Sequence, residues 1–204
     1  KSKELTGQKV LIFTEFADTA RYLHRQLKEA GIDGVAQVDS ATKGSRADVI
    51  RRFSPYYNGT SSSELPERGR EEIRVLISTD VLSEGLNLQD ASRMINYDIH
   101  WNPVRLMQRI GRVDRRMNPE LEVRLVRDHP EVESSRGKVS FWNFLPPEEL
   151  NAILTLYSKV TQKTLLISKT LGIEGKKLLT PEDDYDALKE FNHAYEGTKT
   201  AIED

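Results

Sequence analysis

The sequence predicts an α/β protein: a parallel β-sheet with helices on both faces, followed by a helical extension. Three observations predict it. Short apolar runs recur without polar alternation, as in strands buried on both faces. Stretches with helical spacing separate those runs. The order is strand, helix, strand, helix, which calls for crossover connections and a parallel sheet.

The elements follow in order. Residues 9–14 read Lys-Val-Leu-Ile-Phe-Thr, a buried strand. Asp18 is placed to cap the next helix, with Ala20, Leu23, Leu27 and Ala30 on one face and Gly31 at its end. Residues 35–39 form a weaker strand, and 45–53 a basic helix whose apolar side is Val49, Ile50 and Phe53. Residues 54–70 change character: Pro, Gly, Asn and a Ser-Ser-Ser run predict a mobile loop. Ile73, Val75, Leu76 and Ile77 mark a strand within 71–79, and 93–97 another. Pro103 opens a helix expected to reach Met117. Residues 119–138 are charged and carry no clear period, and 139–145 read as the last strand. Leu150, Ile153, Leu154, Tyr157, Val160 and Leu165 give 148–171 a helical pattern. The expected organisation is one lobe over residues 1–147 and a helical extension over 148–204.

Composition narrows the function classes. The net charge is -2, so any nucleic-acid contact must come from a local basic patch rather than the whole surface. There are no cysteines, which excludes disulfides and cysteine-held zinc. No apolar run approaches the roughly 18 residues of a membrane span. The four histidines, His24, His100, His129 and His193, are scattered and make no metal pattern. The chain begins at Lys1, which suggests a piece of a longer protein.

The chemistry concentrates in residues 103–117. In a continuous helix, Leu106, Ile110, Val113 and Met117 form one apolar stripe. Gln108, Arg112 and Arg115 then point away from it, and Arg105, Arg109 and Arg116 lie along one flank. Two permanently charged, planar guanidinium groups about one turn apart suit a transferring phosphoryl group. Gly111 sits mid-helix at a cost of about 1 kcal/mol, which marks a close approach or an early helix end.

Gln108-Arg-Ile-Gly111-Arg112-Val-Asp-Arg115 resembles motif VI of superfamily-two helicases. Thr79-Asp80, followed by Gly85-Leu-Asn87, resembles motif V, and Val10-Leu-Ile-Phe13-Thr14 resembles motif IV. Residues 39–53 resemble the family's polar loop and following helix, with Ser40 and Ala41 where Gly-Ser is common. Asp98-Ile-His-Trp101-Asn102-Pro103 resembles the Swi/Snf-type branch of duplex-DNA translocases. The Gly-Arg-Val-Asp-Arg segment is similar to the bacterial RNA-polymerase-recycling ATPase subfamily.

The resemblance implies the fold of a second RecA-like lobe and a role in an ATP-dependent DNA translocase or helicase. It implies Arg115 as arginine finger with Arg112 beside it on the phosphates of ATP. Gln108, Gly85 and Asn87 would complete the nucleotide side. Thr79, Thr14, Lys43 and Arg46 would contact nucleic acid. The sequence lacks the phosphate-cradling Gly-x-x-x-x-Gly-Lys-[Ser/Thr] loop and a strand-end Asp-Glu pair. ATP with Mg²⁺ would therefore be held by an N-terminal RecA-like lobe of the same polypeptide. A cytoplasmic, bacterial setting is implied by the same resemblance. An RNA helicase lobe, or a silent docking module for nucleic acid or protein, are the alternative readings.

Overall fold

The computed structural model describes residues 5, 7–40, 42, 45–79, 87–98, 100 and 103–144. The expected extension over 148–204, Lys43, Gly85 and Trp101 lie outside them. Five strands form one sheet: β1 (Val10–Phe13), β2 (Val35–Val38), β3 (Val75–Ser78), β4 (Arg93–Asn96) and β5 (Ser140–Asn143). Their order is β2-β3-β1-β4-β5 and every pairing is parallel. This is the predicted fold class.

The apolar strand runs explain the layering. All four residues of β1 are buried. Successive side chains alternate between faces, so Leu11 and Phe13 enter one core cluster and Val10 and Ile12 the other. On the second face lies helix α1 (Ala17–Glu29), through Ala20, Leu23 and Leu27. Helices α2 (Arg46–Phe53) and α4 (Pro103–Val113) cover the first face, with Ile50, Phe53, Ile110 and Val113. Ile50 and Phe53 are fully buried, each contributing about 1.5–3 kcal/mol.

Local chemistry sets the boundaries. Ser45 accepts from the Asp48 N–H and caps α2. Gly34 turns the chain into β2 at φ 65°, where a Cβ would press within 3.2 Å of the Arg74 nitrogen and the Glu72 carbonyl oxygen. Only glycine fits that approach.

Three expectations change. Asp18 does not cap α1: Phe16 holds the cap position without a side-chain bond, and Asp18 lies in the first turn, paired with Arg21. Helix α4 stops at Val113 rather than Met117, two residues after the unfavourable Gly111. No described atom lies within 4 Å of a Cβ added at Gly111, so it serves no close internal approach.

The largest change concerns residues 54–70. They hold a 3₁₀ turn, Tyr56–Asn58, and a short helix α3, Glu64–Glu67. Tyr56, Tyr57 and Leu65 are buried. The two tyrosines pack with Leu125 of α5 (Pro119–Asp128), which occupies part of the stretch that lacked a period. Polar composition favoured a loop, but two large aromatic anchors outweigh it once a partner helix covers them. A second 3₁₀ turn, Pro130–Ser135, leads to β5.

Candidate nucleotide and nucleic-acid site

Thr14, Thr79 and Arg46 lie at the carboxyl ends of the strands, where open parallel sheets place their ligand sites, whereas Asn87 and Arg115 lie toward the amino ends, beside Tyr57 and Gln89. Thr14 follows β1 and is fully buried. Its N–H donates to Ser78 O at 3.0 Å, and its hydroxyl donates to the Asp98 carboxylate. The same carboxylate accepts the Glu15 N–H at 3.1 Å. Thr14 is thus tied inward, joining the ends of β1 and β4.

Thr79 follows β3. Its N–H donates to Val38 O at 3.2 Å, while its buried hydroxyl has no hydrogen-bond partner among the described residues. An unpaired buried hydroxyl costs about 1–3 kcal/mol. Such a cost is tolerated where a polar group awaits an outside partner.

Asn87 and Arg115 come together. Arg115 lies beyond the end of α4, exposed, with its N–H on Val113 O. Its Nη1 donates to Asn87 Oδ1 at 3.1 Å and its Nε to Gly111 O at 3.4 Å. The early helix end gives Arg115 a position off the helical lattice that a continuous helix would not. Arg112 is half-buried and Gln108 exposed on α4. Arg46 donates to Ser40 O at 3.1 Å.

Sequence reasoning misplaced Arg109 and overlooked Asn58. Arg109 was expected on a solvated flank, yet it is the largest fully buried side chain among the described residues. Its guanidinium carbon lies 5.3 Å from the Phe13 ring centroid, and Nη1 donates to Asp98 O at 3.2 Å. At about 100° per residue, Arg109 falls about 60° from Leu106 and about 40° from Val113. That places it just outside the edge of the apolar stripe, beside Val113, a partial signal the sequence did contain. Asn58 had no such signal. Its Nδ2 donates to Asn87 O at 2.8 Å, and its Oδ1 accepts the Asn87 N–H at 3.2 Å.

The amino end of the sheet, which Asn58, Asn87 and Arg115 adjoin, holds a dense polar network. Asp90, buried ahead of β4, accepts from Ser54 Oγ at 2.7 Å and from the Tyr56 and Tyr57 N–H groups at 2.9 and 3.2 Å. Arg136 grips Glu122 with two bonds of 2.7 and 2.6 Å, and reaches Gln89 O and Asp90 O. Burial alone would raise the Glu122 carboxyl, but its bonds from Arg136 and Tyr57 prevail and hold it below the usual range. Burial and the Glu122 contact push the Tyr57 phenol up to about 12. A cavity of about 260 Å³ at this end is lined by Lys9, Tyr56, Glu72, Asp90 and His129 among others. Its Lys9 is already paired with Glu72 at 2.6 Å. Among the described residues no group of His, Asp or Glu is placed to hold a metal ion.

The model of the helicase conserved C-terminal domain matches residues 2–117. The chain is 39% identical over 107 residues to the uncharacterized ATP-dependent helicase YqhH of Bacillus subtilis, covering 52% of this chain and 16% of that protein. It is 31% identical over 115 residues to the RNA polymerase-associated protein RapA of Vibrio parahaemolyticus, covering 56% of this chain and 11% of that protein. The matched segment therefore spans less than a fifth of either relative. In structure it is similar to the E. coli DEAD-box protein SrmB bound to regulator of ribonuclease activity A, with a TM-score of 0.51 at 21% identity over 79% of this chain and 72% of that one. With its parallel five-stranded sheet, the chain belongs to the helicase conserved C-terminal domain family, the second RecA-like lobe of superfamily-two helicases.

Proposed function

We propose that this chain is the second motor lobe of an ATP-driven DNA translocase or helicase, and that Arg115 is its arginine finger. The observation that carries the reading is the meeting of two motif segments. An exposed arginine leaves the helix lattice and is held by the side-chain amide of Asn87. A guanidinium aimed outward and steadied by a neutral acceptor keeps its full charge for a phosphate. A carboxylate partner would neutralise it.

In this reading Arg112 joins Arg115 on the phosphates of ATP, and Gln108 and Gly85 complete the nucleotide side. Thr79, with its unpaired hydroxyl, meets a nucleic-acid phosphate, together with Lys43 and Arg46. Thr14 joins them only by exchanging Asp98 for a phosphate. The described residues fit the phosphate end of ATP and not its metal, since they offer no carboxylate cluster. Mg²⁺ and the phosphate-cradling loop belong to an N-terminal lobe, and turnover requires both lobes. Closure on ATP brings the arginines to the phosphates, and opening after hydrolysis moves the lobe along its track. Duplex DNA is the favoured track, on the resemblance of the Asp98 to Pro103 segment to the Swi/Snf-type branch.

The test is ATP turnover by the intact parent protein, at one salt concentration, with no nucleic acid, duplex DNA, single-stranded DNA or RNA. Duplex DNA is expected to stimulate most. Arg115→Ala is expected to lower turnover by about 10³-fold while ATP binding persists. Stimulation by RNA alone would move the chain to the RNA-helicase reading. Loss of ATP binding with unchanged residual turnover would remove Arg115 from the finger role.

A further inference from the structure

We propose that Asn58 is a positioning residue: it fixes Asn87, and through Asn87 it sets the guanidinium of Arg115. The proposal rests on the reading of Arg115 as the finger. A long exposed arginine samples many rotamers, and a misplacement of about 1 Å can cost about 10²-fold in rate. Something must therefore hold it.

The hold can be traced atom by atom. Asn87 Oδ1 accepts from Arg115 Nη1 at 3.1 Å. Asn87 Nδ2 donates to Tyr57 O at 3.2 Å. That second bond fixes which end of the amide faces the arginine, because the reversed amide would set a donor against a donor. The Asn87 backbone is gripped on both sides by one side chain. Asn58 Nδ2 donates to Asn87 O at 2.8 Å, and Asn58 Oδ1 accepts the Asn87 N–H at 3.2 Å.

Asn58 is itself anchored. Its Nδ2 also donates to Ser54 O at 2.7 Å, and its own N–H donates to Pro55 O at 3.0 Å. Ser54, Tyr56 and Tyr57 all bond the buried Asp90 carboxylate. Both amide protons and the amide oxygen of Asn58 are therefore used. Asp at this position has no donors, and Ala has neither donor nor acceptor. Residues 54–58 thus form a bracket that carries the rigidity of the amino-end network to the arginine.

The experiment is steady-state ATP turnover by the intact parent protein with its stimulating nucleic acid, for wild type, Asn58→Ala, Asn58→Asp, Arg115→Ala and the Asn58→Ala/Arg115→Ala double variant. Thermal unfolding is followed alongside. Asn58→Ala and Asn58→Asp are expected to lower kcat about 10-fold or more, with KM for ATP within about 2-fold. In the Arg115→Ala background the Asn58 substitution is expected to cost less than about 2-fold more, because the group it positions is gone. Asp keeps the size and the acceptor, so it reports on the lost donors even if Ala disturbs folding. An equal fold-loss in both backgrounds would overturn the proposal, since Asn58 would then act by another route. So would wild-type kcat in both Asn58 variants while Arg115→Ala is inactive. Wild-type turnover in Arg115→Ala would instead remove the finger reading, and the proposal with it.

Discussion

The two ends of the sheet obey opposite rules. At the amino ends, polar groups are paired several times over. Asp90 accepts from three groups of the 54–58 segment, and Arg136 makes four bonds, two to Glu122 and one each to Gln89 O and Asp90 O. At the carboxyl ends the buried side-chain atoms without a partner collect. Among the described residues these are Gln37 Oε1, Thr79 Oγ1, Asn96 Oδ1 and Asn143 Nδ2. Each lies in the last two residues of a strand or one past it. Burial is similar at both ends, so exposure does not explain the contrast. One end spends its polar groups on rigidity, and the other leaves them short of partners where ligands approach such sheets.

The largest expected test of that contrast is Arg136→Ala. It strands Glu122, whose side chain is 16% exposed, and uncaps two carbonyl groups. The expected loss is about 3–5 kcal/mol in urea unfolding of the chain. A loss below about 1 kcal/mol would mean the network is ornamental.

A smaller effect is expected from pH. The folded Glu122 carboxyl titrates below its ordinary value of 4.5. The stabilisation is therefore complete above that value and is lost as pH falls through it toward the lowered folded value. Urea midpoints between pH 7 and pH 3 should fall more steeply for wild type than for Glu122→Gln. Equal slopes would show that other carboxylates carry the acid sensitivity.

The smallest effects sharpen the comparison most, because they delete the same group at each end. Ser54→Ala removes a hydroxyl bonded to Asp90 and should cost about 1–3 kcal/mol. Thr79→Val removes a hydroxyl without a described partner and should change stability by less than about 0.5 kcal/mol, or raise it. In the parent protein the same Thr79→Val is expected to weaken nucleic-acid binding in a fluorescence-anisotropy titration. Equal costs at the two ends would erase the distinction drawn here.

Much of this architecture was legible in the residues. The buried runs give β1, β3 and β4 within a residue or two, because an uninterrupted apolar segment has no other stable place than a covered sheet. Leu106, Ile110 and Val113 place α4, and motif spacing brings Arg115 into consideration before any geometry. Two things were not legible. The stretch over 54–70 looks like a loop by composition, since composition cannot register that α5 arrives to cover Tyr56 and Tyr57. Arg109 looks like surface by type and by its helical angle, which sets it on the flank of the apolar stripe, and the Phe13 ring and the Asp98 carbonyl help make burial of that charge tolerable.

The sequence by itself determined the fold class, the order of the strands along the chain and the identity of the arginines, because these follow from local periodicity and motif spacing. Tertiary structure alone decided that Asn87 holds Arg115, that Asn58 holds Asn87, and that one end of the sheet is saturated with hydrogen bonds. Those contacts join residues 28 and 29 positions apart in the two links. Pairings at that separation are fixed by how the sheet and helices close, which local pattern does not encode.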